Sequence, residues 1–320
     1  MHRAVLVSVV LAFNLAATGL ARGEYPTRPV RFIIPFPPGG LADLVGRIVS
    51  PPLSQALGQQ VIVDNRPGAD GAIAAEITLK AQPDGHTLFM GTNSPMSAVP
   101  SLRRKPPYDP VTRFAPIASL GRPVFFLFVH PSLPARSVAE LVQYAKANPG
   151  KVAYGSGNTT AIVATAQFRL IAGLDITHVP YKGDAPLTLD LVAGRLQMAF
   201  MAPVPGYQLA KEGKLRIVAT LLAHRSSLAP EAPTMAESGF PGVSIYPWVA
   251  VFGPSGTPAD VVRRLSREFN AIVGRADVGD NLNRQGFVPV GSTPAELSEL
   301  VKTQLDAWRR AVHEAGIPQD

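Results

Sequence analysis

The 320-residue sequence predicts an α/β protein of two domains, layered around mostly parallel sheets. Three observations carry that expectation. Short apolar runs of strand length alternate with stretches whose apolar residues recur at helical spacing. Glycine-rich turns repeatedly join the end of a strand to the start of a helix. The 32 prolines are spread as punctuation between these segments rather than gathered in one tract, and 46% hydrophobic residues suffice for two sizeable cores.

The N-terminus is set apart before the elements are taken in order. Arg3 precedes an apolar run over 4–17 broken only by Ser8 and Asn14, and the small residues Ala21 and Gly23 follow. This is the pattern of a secretory signal peptide over residues 1–23, cleaved near Gly23 and too short to span a bilayer. No Cys occurs, which excludes a lipobox anchor, disulfides, zinc ribbons and thiol catalysis. The expectation is an exported, soluble periplasmic chain without a lipid anchor. The formal +7 falls to +5 once Arg3 and Arg22 leave with the signal peptide. Charges are scattered, and the longest basic run is Arg103-Arg104-Lys105. That describes a solvated basic surface rather than a nucleic-acid interface. It is compatible with a mild preference for anionic ligands.

The first domain opens with a buried strand over 30–34, the turn Pro35-Phe36-Pro37-Pro38-Gly39-Gly40, and a helix marked by Leu41, Leu44, Val45 and Ile48. Pro51-Pro52 predicts a break or kink in that helix. A strand over 61–63 leads through Asn65-Arg66-Pro67-Gly68-Ala69-Asp70-Gly71 into a helix over 72–81. A strand over 87–90 precedes Gly91-Thr92-Asn93-Ser94. The Pro-rich stretch 106–123 marks a boundary.

The second domain begins with a strand over 124–129. Ser137 and Glu140 form a capping box for a helix closed by Asn148-Pro149-Gly150. A strand over 151–154 leads through Gly155-Ser156-Gly157-Asn158-Thr159-Thr160 into a helix ending at Ala172. Strands over 176–179, 196–201, 215–220 and 244–252 follow, and 240–248 marks the second boundary. Thr257 then serves as N-cap with Pro258 at N1, ahead of an apolar face of Val261, Leu265, Phe269 and Ile272 or Val273. Thr293 and Glu296 box a last helix through Leu297, Val301, Leu305, Trp308 and Val312. This closing helix pair has no strand of its own and is assigned back to the first domain. The expected division is therefore 24–123 with 247–320, and 124–246.

Catalytic signatures are absent. There is no H-E-x-x-H, G-x-S-x-G, Walker A or G-x-G-x-x-G, and His86, His130, His178, His224 and His313 are isolated from one another. No catalytic residue, metal ligand or cofactor is assigned; a hydrolase built on Asp43 or His86 is the enzymatic alternative. The remaining signals are five loops just past predicted strand C-termini, the edge at which open α/β sheets hold ligands. They nominate Phe36, Pro38, Gly39, Gly40 and Asp43; Gly68, Ala69 and Asp70; Thr92 and Ser94; Ser156, Gly157, Asn158, Thr159 and Thr160; and Tyr181 and Asp184. Backbone N–H groups at helix starts would hold an acid group there.

Each residue also has a plainer reading. Gly39, Gly40 and Gly68 supply positive φ. Asp70 and Asp184 stand where N-caps belong, and Ser156, Thr159 or Thr160 could cap the next helix. Asp43 suits a first helical turn. Lys182 is solvated, His178 is a hydrogen-bonded structural histidine among apolar neighbours, and Trp248 belongs to core or hinge.

These loops, in this order, resemble the Bug family of extracytoplasmic solute receptors of the tripartite tricarboxylate transporter system. The matching segments are Tyr25-Pro26-Thr27-Arg28-Pro29, the turn at Pro35 with Asp43 and Arg47, and Asn65-Arg66-Pro67-Gly68-Ala69. Pro83-Asp84-Gly85-His86-Thr87-Leu88, Ala145-Lys146-Ala147-Asn148-Pro149-Gly150-Lys151 and Tyr154-Gly155-Ser156 follow. His178-Val179-Pro180-Tyr181-Lys182-Gly183, Pro233-Thr234 with Glu237 and Gly239, and Gly256-Thr257-Pro258 complete the set. The resemblance implies two Rossmann-like lobes of type II periplasmic-binding-protein (Venus flytrap) architecture. It implies a small carboxylate as ligand: a di- or tricarboxylate, an acidic amino acid or an aromatic acid. It implies delivery to membrane permease subunits, with some relatives serving as sensors for a membrane kinase. The sequence departs from the family pattern at several positions, most of them in the second lobe. Met201 stands where an Asp is common, Asp70 where Gly is, Asp184 where a small residue is, and Ile162 or Val163 where a His is. The glycine loop at Gly155 is one residue short. The resemblance thus supports the first-lobe loops better than the second.

Overall fold

The computed structural model describes residues 25–320 except Lys182, Ala315, Pro318 and Asp320, together with the side chain of Pro205. The signal-peptide expectation and the solvated Lys182 lie outside the described residues.

In chain order the first elements are β1 (Val30–Ile34), α1 (Leu41–Leu57), β2 (Val61–Asn65), α2 (Ala72–Leu79), β3 (Thr87–Thr92), α3 (Val99–Leu102) and β4 (Phe114–Pro123). Next come β5 (Phe126–Val129), α4 (Val138–Ala147), β6 (Ala153–Ser156), α5 (Thr159–Ala172), β7 (Thr177–Pro180), α6 (Asp184–Val192), β8 (Met198–Met201), α7 (Pro203–Lys211) and β9 (Arg216–Thr220). The chain closes with β10 (Val249–Pro254), α8 (Ala259–Val273), α9 (Ala276–Arg284), β11 (Phe287–Pro289) and α10 (Pro294–Glu314).

These strands form two sheets, ordered β11-β4-β10-β3-β1-β2 and β7-β6-β8-β5-β9. Setting β11 aside, the two sheets repeat one plan. Two parallel neighbours flank a first strand (β2 and β3 around β1, β7 and β8 around β6), and one antiparallel strand lies between the third and the last. That antiparallel strand, β10 or β5, is the one the chain forms on arriving from the other sheet. The sheets are therefore mixed where mostly parallel sheets are expected, because a chain crossing between lobes enters the new sheet against its grain. This is the two-lobe type II architecture.

Period-2 alternation builds a core on each face of each sheet. On β1, Val30, Phe32 and Ile34 pack with Val45, Val49, Leu265 and Phe269, while Ile33 points to the opposite face with Phe89, Trp248 and Phe252. On β5, Leu127 and Val129 join Phe168 and Phe200, while Phe126 and Phe128 join Leu187 and Leu191. Trp248, 1% exposed, is a core residue at the entry to β10.

Several elements differ from the sequence reading. The helix α1 runs unbroken through Pro51 and Pro52. Pro51 is exposed and Pro52 half-buried, and the residues whose carbonyls lose an N–H partner, Arg47 and Ile48, are themselves exposed and half-buried, so water can reach that side of the helix. The supposed Pro-rich boundary contains the ten-residue strand β4, whose Pro116 is accommodated by register shifts against β10. β10 begins at Val249 rather than 244, and β2, β3 and β6 run further than expected, so Asn65, Gly91, Thr92, Gly155 and Ser156 are strand residues. The closing segment is three helices with a short strand, β11, paired to β4. Thr257 does not cap α8: its N-cap is Pro258, and the Thr257 hydroxyl donates to Pro254 O at 2.7 Å.

The chain crosses between sheets at 124–125 and returns through 221–248. The return is pinned by Asn93, which donates to Tyr246 O at 2.8 Å and accepts from Trp248 N–H at 2.8 Å. The last helix, α10, spans both: Leu297 and Val301 pack with the first sheet, Ala307, Trp308, Ala311 and Val312 with the second.

Candidate functional site

Every predicted loop lies at the carboxyl edge of one of the two sheets. In the first sheet the turn after β1 is shaped from within by Asp43. This carboxylate, 2% exposed, accepts from the Gly39 N–H at 2.9 Å, from Arg47 Nε at 2.9 Å and from Asn65 Nδ2 at 3.0 Å. Burial alone would raise its pKa; the hydrogen bonds from Arg47, the Gly39 N–H and Asn65 outweigh it and hold the group below its ordinary 3.8. Asn65 Nδ2 also donates to Phe36 O at 3.0 Å, tying both ends of the turn. Asp43 therefore positions the loop rather than presenting its charge to a ligand. Asn65 and Asn93 are organising residues that strand and loop patterning does not single out; their signal is a strand end next to a turn. Phe36 is half-buried, while Pro38, Gly39 and Gly40 are exposed. Gly39 has φ 83, as expected of a turn glycine, but Gly40 is extended at φ −78 and caps α1 with no side-chain hydrogen bond.

The turn after β2 is left-handed over four consecutive residues: Gly68 (φ 127), Ala69 (φ 47), Asp70 (φ 54) and Gly71 (φ 88). Asp70 is exposed and does not cap α2, whose N-cap is Gly71 without a side-chain bond. A Cβ at Gly71 would lie 2.9 Å from Pro35 Cβ and 3.2 Å from Pro95 Cβ, so this glycine lets the turns after β1, β2 and β3 meet. Holding Ala69 in the left-handed region costs about 1–2 kcal/mol, part of which glycine would return as unfolded-state entropy. Ala69→Gly is therefore expected to raise stability by about 0.5–1 kcal/mol and Ala69→Val to lower it. Urea unfolding checks this; equal losses in both variants would show that no strain is held there.

At the end of β3, Thr92 is buried with its hydroxyl unpartnered. The Ser94 hydroxyl lies 3.2 Å from the Thr159 hydroxyl at the start of α5. This contact joins the loops of one sheet to those of the other.

In the second sheet Ser156, 2% exposed, is bonded to His178 Nε2 at 2.6 Å. His178 stacks on Tyr154 and sits on the exposed edge strand β7, not among apolar neighbours; burial against that ring and the nearby Arg169 lower its pKa. The N-cap of α5 is Asn158, whose Oδ1 accepts from the Ala161 N–H at 2.9 Å, so Ser156, Thr159 and Thr160 do not cap. Thr160 is buried at 6% exposure. Tyr181 turns away from the loops: its hydroxyl donates to Asp190 Oδ2 at 2.6 Å, and burial with that carboxylate pushes its pKa up to about 12. Asp184 does not cap α6. Its Oδ2 accepts from the Ala202 N–H at 3.1 Å and its Oδ1 from Asn158 Nδ2 at 3.3 Å, while burial raises its pKa. Gly157 packs against it; a Cβ there would lie 2.3 Å from Asp184 Oδ1. Met201 is fully buried, beside Thr188.

The structure thus brings together Phe36 to Gly40, Gly68 to Asp70 and Ser94 on one side and Gly157 to Thr159 with Asp184 on the other. Tyr181, Ser156 and Asp43 act behind that front. His86 stands before β3, at the opposite sheet edge from Asp43, so the two do not form one centre. Among the described residues no cluster of His, Asp and Glu could hold a metal ion, and no helix is long and apolar enough to cross a membrane.

Comparison with known proteins agrees with this fold. The profile of the tripartite tricarboxylate transporter family receptor matches residues 45–317. BugT of Bordetella pertussis is 33% identical over 314 residues, covering 97% of this chain and 96% of its own. The solved structure of R. palustris Rpa4515 with adipate superposes with a TM-score of 0.79 at 34% identity, covering 92% of this chain and 99% of that one. MatC from Rhodopseudomonas palustris with bound malate gives 0.74 at 27% identity, covering 90% and 100%.

Proposed function

We propose, from the premise that this chain belongs to the tripartite tricarboxylate transporter receptor family, that it captures a small carboxylate between its two lobes and hands it to membrane permease subunits. The lobes of this reading are 24–123 with 247–320, and 124–246, with α10 packed across both. The receptor is exported to the periplasm by the signal peptide over 1–23.

The observation that carries the carboxylate reading is the pair of helix starts beside the cleft. α1 and α2 are capped by Gly40 and Gly71, which offer no side chain to the first-turn N–H groups, although the Ala72 N–H is already given to Ala69 O. The nearby arginines are already occupied, Arg47 by Asp43 and Arg66 by Asp64. An anion held here is held by backbone donors and helix dipoles, which charge-assisted hydrogen bonding favours. Rpa4515 with adipate and MatC with malate support the same ligand class by analogy. Lobe closure around the ligand would extend the Ser94–Thr159 contact and present one surface to the permease.

A thermal-shift screen of small carboxylic acids tests this. A true ligand at a hundredfold excess over its Kd should stabilise the protein by about 2.7 kcal/mol. Stabilisation by sugars or metal ions and by no acid would refute the reading.

A further inference from the structure

We infer that Asp184 makes the second lobe selective for a ligand whose far end carries an ammonium group rather than a second carboxylate. This rests on the reading of the cleft as a carboxylate site and names the other half of the molecule it accepts. The Asp184 carboxylate is bound only by two neutral donors, the Ala202 N–H at 3.1 Å and Asn158 Nδ2 at 3.3 Å. Both bonds are at the long end for a charged acceptor. Among the described residues no cation forms an ion pair with it. An ionised carboxylate has about four acceptor positions, and these contacts use two.

The site is shaped around this side chain. Gly157 leaves the space that Oδ1 occupies, and even a methyl group there would overlap it. Asn158 divides its amide between capping α5 and holding Asp184. Two residues after Gly157, Thr159 touches Ser94 of the first lobe, so Asp184 stands at the edge of the second sheet that faces the carboxylate loops. A half-buried anion without a counter-ion is costly, and burial already raises its pKa. An ammonium group would fill the open acceptor positions and supply the missing charge. A second carboxylate would set like charges together beside a half-buried anion, which disfavours it.

The test is calorimetric titration of the purified protein with matched acids: succinate, butyrate and γ-aminobutyrate as one set, adipate, hexanoate and ε-aminohexanoate as another. In the set whose length fits, the amino acid should bind the wild-type protein about tenfold or more tighter than the dicarboxylate. Asp184→Asn should remove that advantage. The wild-type ranking needs no variant, so it stands as a test even where Asp184→Asn fails to fold. A dicarboxylate that binds the wild type as tightly as its amino-acid counterpart, or a ranking unchanged by Asp184→Asn, overturns this inference and leaves the carboxylate reading intact. If none of the six acids binds while the thermal-shift screen finds another acid, this inference alone falls; if that screen also finds no acid, the carboxylate reading falls with it.

Discussion

Trp308→Ala is expected to lower the unfolding free energy by about 3–5 kcal/mol. The side chain is fully buried and packs with Phe168, Phe200 and Leu127 in the core of the second sheet. Its helix, α10, has 21 residues and so is roughly 31 Å long. The same helix buries Leu297 and Val301 against the first sheet. Truncating Trp308 leaves a cavity at the distal anchor. It strands no hydrogen-bond acceptor, because Trp308 Nε1 has none in the folded state. The loss is therefore almost purely one of packing. Urea unfolding measures it, and a loss below about 1 kcal/mol would mean that the core collapses around the site or that the helix end does not hold the second lobe.

Asp43→Ala should cost about 2–3 kcal/mol and abolish tight ligand binding together. Three donors lose their acceptor at once: the Gly39 N–H, Arg47 and Asn65. Arg47 is half exposed and regains water, so the cost falls mainly on the other two. Freed from Asp43, the turn from Phe36 to Gly40 loses the shape that aims its N–H groups. The pH dependence follows from the depressed folded-state pKa. A carboxyl lowered on folding contributes stability that is fully present above its unfolded value and is lost as pH falls through the folded one. The wild type should therefore weaken below about pH 4, and Asp43→Asn should flatten that decline. Calorimetric titration beside urea unfolding separates the two effects. A variant that loses stability and keeps its affinity would show that the loop does not depend on this carboxylate for its function.

Much of the fold is legible in the residues. The apolar run at Val30, the capping boxes at Ser137 and Thr293 and the glycine turns after the strands all carry their signal within a few positions. β4 escapes such reading because Pro116, Gly121 and Pro123 look like punctuation, and only pairing with β10 makes them a strand. Within the candidate site the glycine-bearing loops are foreseen, but the roles of single carboxylates are not. Asp70 and Asp184 both precede helices, and local spacing makes both caps. Asp70 is instead left-handed and exposed, while Asp184 reaches across to Ala202, just past β8.

The α/β class, the loops at the strand ends and the family are all legible in the order of the residues. These depend on interactions between residues close in the chain, through period, capping and turn chemistry. Only packing shows which acid organises a loop, which reaches across to the end of another strand and how α10 joins the lobes. Asp43 meets Asn65, Asp184 meets Ala202, and Trp308 joins the core that holds Phe200 only after the sheets have formed. Whether a carboxylate is a cap, a scaffold or a recognition group depends on the donors that packing brings to it, and those lie far away in the chain.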